Sequence, residues 1–205
     1  MSNQDLMQSI KAKWGAMITA ACAMSSVPPA FLAGLIANES GGNPLVKRFE
    51  SHVLLALWEV LLGRKMAYGS IGRAGLVQFV SGTSLPVYTS PTSLPADTYQ
   101  RFDSLATSWG LTQIMGYEVL DTQLNSGGIE NLKTPPADLV VTLRMLTQTA
   151  SRLGVDVTKD FSEMFDFWNT GRPHAPTADP QYIPNGLERM KIYGALLAGD
   201  TDPGS

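Results

Sequence analysis

The chain has one cysteine, Cys22, and two histidines, His52 and His174. A single thiol excludes an internal disulfide, and so few Cys and His side chains exclude a zinc site of the usual Cys/His kind. Charge of one sign is scarce as well: 15 Lys and Arg stand against 18 Asp and Glu, a net charge of -3. Without a basic excess the chain lacks the electrostatic footprint of a general nucleic-acid binder. It also lacks any run of about 18 or more apolar residues, so no membrane span is predicted. Lys11 and Lys13 ahead of the apolar stretch 14–24 imitate a secretion signal. Gln4 and Asp5 make that start too little basic, and Ser25-Ser26-Val27-Pro28 is a poor cleavage site. The expectation is an amphipathic helix there and no targeting segment, with the compartment left open.

What is present is a chain able to bury a core. Hydrophobic residues make up 44% and charged residues 16% of 205 positions, which points to a packed globular protein and not to disorder. A single domain over 1–198 with a flexible tail at 199–205 is expected. The class expected is mainly α. The first helix is expected at 5–24, with Leu6, Ile10, Trp14, Met17, Ile18 and Ala21 on one stripe and Cys22 beside it. A second follows Ser25-Ser26, with Pro28-Pro29 in its first turn and Phe31, Leu32, Leu35 and Ile36 inward. Glu39 continues that apolar face, and Gly41-Gly42 stops the helix.

A third helix is expected from a Ser51 cap to Arg64-Lys65. Residues 66–107 are rich in Ser, Thr, Gly and Pro and read as a long elaboration, with short strands at 76–80 and 87–89. Further helices are expected at 111–124, at 136–153 with Leu139, Val140, Leu143, Leu146, Ala150 and Leu153 inward, at 160–168, and at 181–198.

The segment Glu39-Ser40-Gly41-Gly42-Asn43-Pro44 carries the chemistry. Cleaving a glycosidic bond needs a proton delivered to the leaving oxygen as positive charge develops at the anomeric carbon. A carboxylic acid does this when burial against apolar neighbours raises its pKa toward the working pH. Leu35 and Ile36 give Glu39 such neighbours. On local sequence alone a solvated helix-terminal glutamate is the commoner outcome.

Four motifs in order reverse that balance. Glu39-Ser40-Gly41-Gly42-Asn43-Pro44, closing a Pro-started helix, resembles the catalytic segment of the soluble lytic transglycosylases of the lysozyme-like superfamily. Ser108-x-Gly110-Leu111-x-Gln113-Ile114-Met115 resembles that family's second motif and Trp168-Asn169-x-Gly171 its third. Tyr182, opening the last helix, resembles its tyrosine. Together they span 14–197. A second resemblance, to the N-acetylmuramidase domains of phage endolysins, rests on Arg48-Phe49-Glu50-x-His52-Val53 and on 108–116. The sequence departs from the transglycosylase pattern in the long stretch before Gly110, in Thr112 for methionine and in Trp168 for tyrosine.

The resemblance implies a lysozyme-like helical bundle that cleaves the β-1,4 bond between N-acetylmuramic acid and N-acetylglucosamine in peptidoglycan. It implies Glu39 as acid and then base, Ser40 orienting it or contacting the substrate, and Gln113 and the backbone near Leu111 on the sugar, with Ser108 beside them. Asn169 would act from the opposite wall and Tyr182 would donate a hydrogen bond near Glu39 or to the substrate. The bland alternatives are a turn bond for Ser40, a solvated Gln113, a loop Asn169 and a packed Tyr182.

A transglycosylase needs one carboxylate, whereas a hydrolase generally needs a second. Glu50 is the candidate second carboxylate, with Asp97 and Asp103 behind it. The other reading of Glu50 is an ion pair with Arg48 or Lys47, or a helix cap. No metal or cofactor is expected, and the expected partner is the peptidoglycan glycan strand, met by a monomer without membrane insertion. A phage or prophage origin or dedicated export would bring it to the wall. Two other readings stay open: a catalytically silent glycan-binding component, and a chitin-like polymer as substrate.

Overall fold

The computed structural model describes residues 1–80 and 90–200. The chain is mainly α, with a few short strands. Helix α1 (Asn3–Cys22) opens on a reciprocal cap: Ser2 Oγ accepts from the Asp5 N–H while the Asp5 carboxylate accepts from Ser2 N. Helix α2 (Pro29–Glu39) follows with proline at its start. Residues Phe31 to Ala37 are all buried, so α2 is not amphipathic but the central rod of the first core. The expected serine cap is absent. Pro28 holds the cap position without a side-chain bond, and Ser25 Oγ accepts instead from Val27 N.

Strand β1 (Arg48–Phe49) leads into α3 (Ser51–Leu61), the short hairpin β2 (Ala67–Tyr68) and β3 (Ile71–Gly72), then α4 (Arg73–Phe79) and α5 (Ala96–Leu105). Strands β4 (Thr107–Trp109) and β5 (Ile114–Met115) precede α6 (Ile129–Leu132), α7 (Pro135–Leu153), α8 (Phe161–Thr170) and α9 (Tyr182–Asp200). A three-stranded antiparallel sheet has the order β1-β4-β5, with Arg48 opposite Ser108 and Ser108 opposite Met115.

Two apolar clusters organise these elements. One gathers α1, α2, α7, α8 and α9 around Phe31, Leu32, Leu35, Phe165 and Tyr193. The other packs α3, α4 and α5 through Leu57, Trp58, Leu61, Leu76 and Phe102. In the first, α2 and α9 pass in opposite directions at close range. A Cβ on Gly34 would sit 3.0 Å from the Gly186 carbonyl oxygen, and Asn38 Nδ2 donates to the Tyr182 carbonyl at 2.8 Å. That crossing brings the start of α9 onto the end of α2.

Several expectations are corrected. Residues 76–80 form no strand: they belong to α4 and its end. The strand expected at 87–89 lies outside the described residues. Helix α5 went unread because proline and serine flank it, although Thr98, Phe102 and Leu105 bury one face at helical spacing. The 111–124 segment is not an α-helix but a tight turn, strand β5 and a 3-10 helix at Gly116–Leu120. Gly110 and Gln113 both take positive φ there, +79° and +57°, which no α-helix tolerates. Val140 and Leu153 are not inward but 41% and 36% exposed; Asp138, Val141 and Thr142 hold the buried face instead. Helix α3 stops at Leu61, before Arg64-Lys65. Its cap position is Glu50, not Ser51. Helix α9 runs through Gly199 to Asp200, where a tail was expected, and the rest of that expected tail, 201–205, lies outside the described residues.

Candidate active site

Glu39 is the last residue of α2, and Ser40 takes the cap position with its N–H bonded to the Ile36 carbonyl. The chain then reverses at Gly41 and Gly42, both at positive φ. Gly42 is pressed against α1: a Cβ there would lie 3.0 Å from Ile10, and the Gly42 carbonyl accepts from Trp14 Nε1 at 3.0 Å. Glycine is required by conformation and by contact together.

Ser40 ties this end to the sheet. Its Oγ donates to the Leu111 carbonyl at 2.7 Å. Leu111 lies in the β4–β5 turn, which a buried carboxylate holds from the other side. Asp138 accepts from Leu111 N at 2.9 Å, Thr112 N at 3.3 Å and Thr112 Oγ1 at 3.1 Å. Gly110 allows this approach, because a Cβ would collide with the Leu132 carbonyl and the Asp138 carboxylate. Burial pushes Asp138 up to about 7, against the hydrogen bonds from Thr112 and Leu111 that favour its ionised form.

The Glu39 carboxyl is itself held by one neutral donor. Tyr182 Oη donates to Glu39 Oε1, and no other described side chain bonds that carboxyl. Burial raises Glu39 to about 7; the Tyr182 hydrogen bond and the charge of Arg48 oppose the rise. Burial and the adjoining Glu39 raise the Tyr182 hydroxyl far above its ordinary value, so it stays a donor throughout the neutral range. Behind this pair, Arg189 donates to Asn38 Oδ1 at 2.7 Å and to Asn3 Oδ1 at 2.9 Å, locking α9, α2 and α1 together.

The expected sugar-binding residues divide. Gln113 is not solvated. Its Nε2 donates to the Val46 and Gly110 carbonyls, both at 2.9 Å, and its Oε1 accepts from Ser108 Oγ at 2.8 Å. Both amide protons are committed, so the side chain braces the turn. Ser108 is buried and shares that brace, and the Leu111 N–H and carbonyl are engaged by Asp138 and Ser40. Asn169 lies on the last turn of α8, exposed, with its side chain bonding no described residue. Its neighbour Trp168 donates to the Thr112 carbonyl at 3.3 Å.

Glu50 forms the ion pair that was one of its two sequence readings. Arg48 Nε lies 2.6 Å from Glu50 Oε1, and His52 Nδ1 lies 3.5 Å from Oε2. It makes no side-chain cap. Asp103 is raised by burial and lowered by Lys47. Two carboxyls whose pKa burial raises to about 7 were missed from sequence. Asp138 left a signal, a polar pair with Thr142 at helical spacing on an otherwise apolar face. Glu118, raised by burial to about 7 beside Tyr117, left none. Among the described residues no cluster of His, Cys, Asp and Glu suits a metal ion.

Comparison of the chain with family models, curated proteins and solved structures finds no match.

Proposed function

We propose that this protein cleaves the β-1,4 bond between N-acetylmuramic acid and N-acetylglucosamine in peptidoglycan, as a lytic transglycosylase on a lysozyme-like bundle. The observation that carries the reading is the Glu39 carboxyl, half-buried at a helix end with a pKa raised to about 7 and a single tyrosine donor. Such a group holds a proton near neutral pH and can deliver it. With Oε1 occupied by Tyr182, Oε2 is the oxygen that carries the proton. As the bond from the anomeric carbon to the leaving oxygen breaks, Glu39 protonates that oxygen. The substrate acetamide stabilises the charge at the anomeric carbon. The C6 hydroxyl then attacks that carbon and returns its proton to Glu39, closing a 1,6-anhydro ring.

The ion pair at Glu50 favours this outcome over hydrolysis, because a hydrolase needs a second carboxylate free to position water or to attack. A groove that binds glycan without cutting it is the reading from another class, and the raised pKa of Glu39 speaks against it. Purified sacculi separate the two. The enzyme reading requires loss of turbidity with release of soluble fragments. Binding to sacculi without clearing would establish the silent component in its place, and clearing of chitin alone would move the substrate.

A further inference from the structure

Arg48 belongs to two carboxylates. Its guanidinium is ion-paired with Glu50 at 2.6 Å, yet its charge also reaches Glu39, with which it makes no ion pair among the described residues. The backbone fixes this placement. Arg48 lies opposite Ser108 in the β1–β4 register, and Ser108 Oγ approaches the Arg48 carbonyl at 3.3 Å. Glu50 N donates to the Ala106 carbonyl at 2.8 Å, pinning the chain after β1 to the residue just before β4. The β4–β5 turn beyond Ser108 accepts the Ser40 hydroxyl, one residue from Glu39. Strand β1 is thus anchored beside the end of α2, while the long Arg48 side chain, 76% exposed, is held at its tip by Glu50.

We propose that Glu50 is a positioning residue: it holds the Arg48 guanidinium away from Glu39. The inference rests on the reading of Glu39 as the acid. The surroundings of both carboxylates leave Arg48 as the movable charge. Around Glu39 stand the Tyr182 hydroxyl from α9 and the charge of Arg48 from β1, with the neutral Leu111 carbonyl reached through the neighbouring Ser40. Arg189 is held off by its bonds to Asn38 and Asn3. Around Glu50 stand Arg48, His52 and, within electrostatic reach, Tyr68. An unrestrained Arg48 would stabilise the Glu39 carboxylate and strip the acid of its proton at neutral pH.

The test is a carbon-13 titration of the Glu39 carboxyl, which reads its midpoint whether or not the protein turns over. Glu50→Gln keeps the shape and removes the restraint; it is expected to lower the midpoint by about one pH unit. The alkaline limb of the activity profile should move down with it. Arg48→Met should raise the midpoint, Arg48→Lys should restore much of the original value, and adding Glu50→Gln to Arg48→Met should change little further. An unmoved midpoint in Glu50→Gln overturns the proposal. So does an equal fall in the Arg48→Met background, which would mean that Glu50 acts through its own charge. Loss of cleavage at every pH with an unmoved midpoint would make Glu50 a catalytic carboxylate. A wild type that titrates as expected but releases no glycan would sink the proposed activity while leaving the positioning of Arg48 intact.

Discussion

Glu39 and Glu50 carry the same side chain in opposite surroundings. At the end of α2 the carboxyl is half-buried and meets one neutral donor, Tyr182, and its pKa rises to about 7. At the end of β1 the carboxyl meets the Arg48 cation at 2.6 Å and a histidine at 3.5 Å. The first setting favours the protonated form, and the second pairs the carboxylate with a cation. The difference teaches that the division of labour between two carboxylates is decided by what each is packed against, not by its spacing in the chain. One is suited to deliver a proton, the other to hold a cation in place.

Substitution at Glu39 should break the comparison most severely. Glu39→Gln removes the transferable proton but keeps an oxygen for Tyr182, so the fold should persist. The rate of fragment release from sacculi should fall by about a hundredfold to ten-thousandfold. A tenfold loss or less would mean that another group supplies the proton.

Asp138→Ala attacks the turn that Ser40 leans on. It strands the Leu111 and Thr112 N–H groups inside the protein, and should cost about 3 kcal/mol of stability. The reading is a lower urea midpoint at unchanged slope. A cost under about 1 kcal/mol would mean that the turn stands without the carboxylate.

Stability should also report on Glu39 through pH. Its folded pKa, about 7, lies above the ordinary 4.5, so the folded state binds the proton more tightly than the unfolded one. The contribution is fully present below the unfolded value and is lost as pH rises toward 7. Between pH 5 and 7 the wild type should lose about 2 kcal/mol more than Glu39→Gln does. Parallel curves for the two proteins would show that Glu39 is not protonated above its ordinary range.

Tyr182→Phe should have the smallest effect, about a tenfold fall in rate. Because its hydrogen bond lowers the Glu39 pKa, its loss should extend activity to higher pH. A limb moving to lower pH would contradict the assigned role.

The sequence made the helical half legible. The stripe of α1, the proline start and glycine stop of α2 and the existence of α7, α8 and α9 follow from spacing and stop signals, and Glu39 with Tyr182 followed from motif order. The β4–β5 turn was not legible. Its shape depends on Gly110 and Gln113 at positive φ and on Asp138, which comes from a distant helix, and tertiary partners of that kind leave little local trace. For the same reason the bonds by which Gln113 and Ser108 brace the turn were not legible in the sequence. Asp138 and Thr142 were visible as a polar pair, but nothing in the sequence said which backbone they would serve.

The most direct test of the central claim is mass spectrometry of muropeptides released from purified peptidoglycan by the wild type and by Glu39→Gln. The account predicts 1,6-anhydro products, about 18 Da lighter than their hydrated counterparts because no water is added, and their near-absence with the variant. No release by the wild type, or undiminished release by Glu39→Gln, would contradict it.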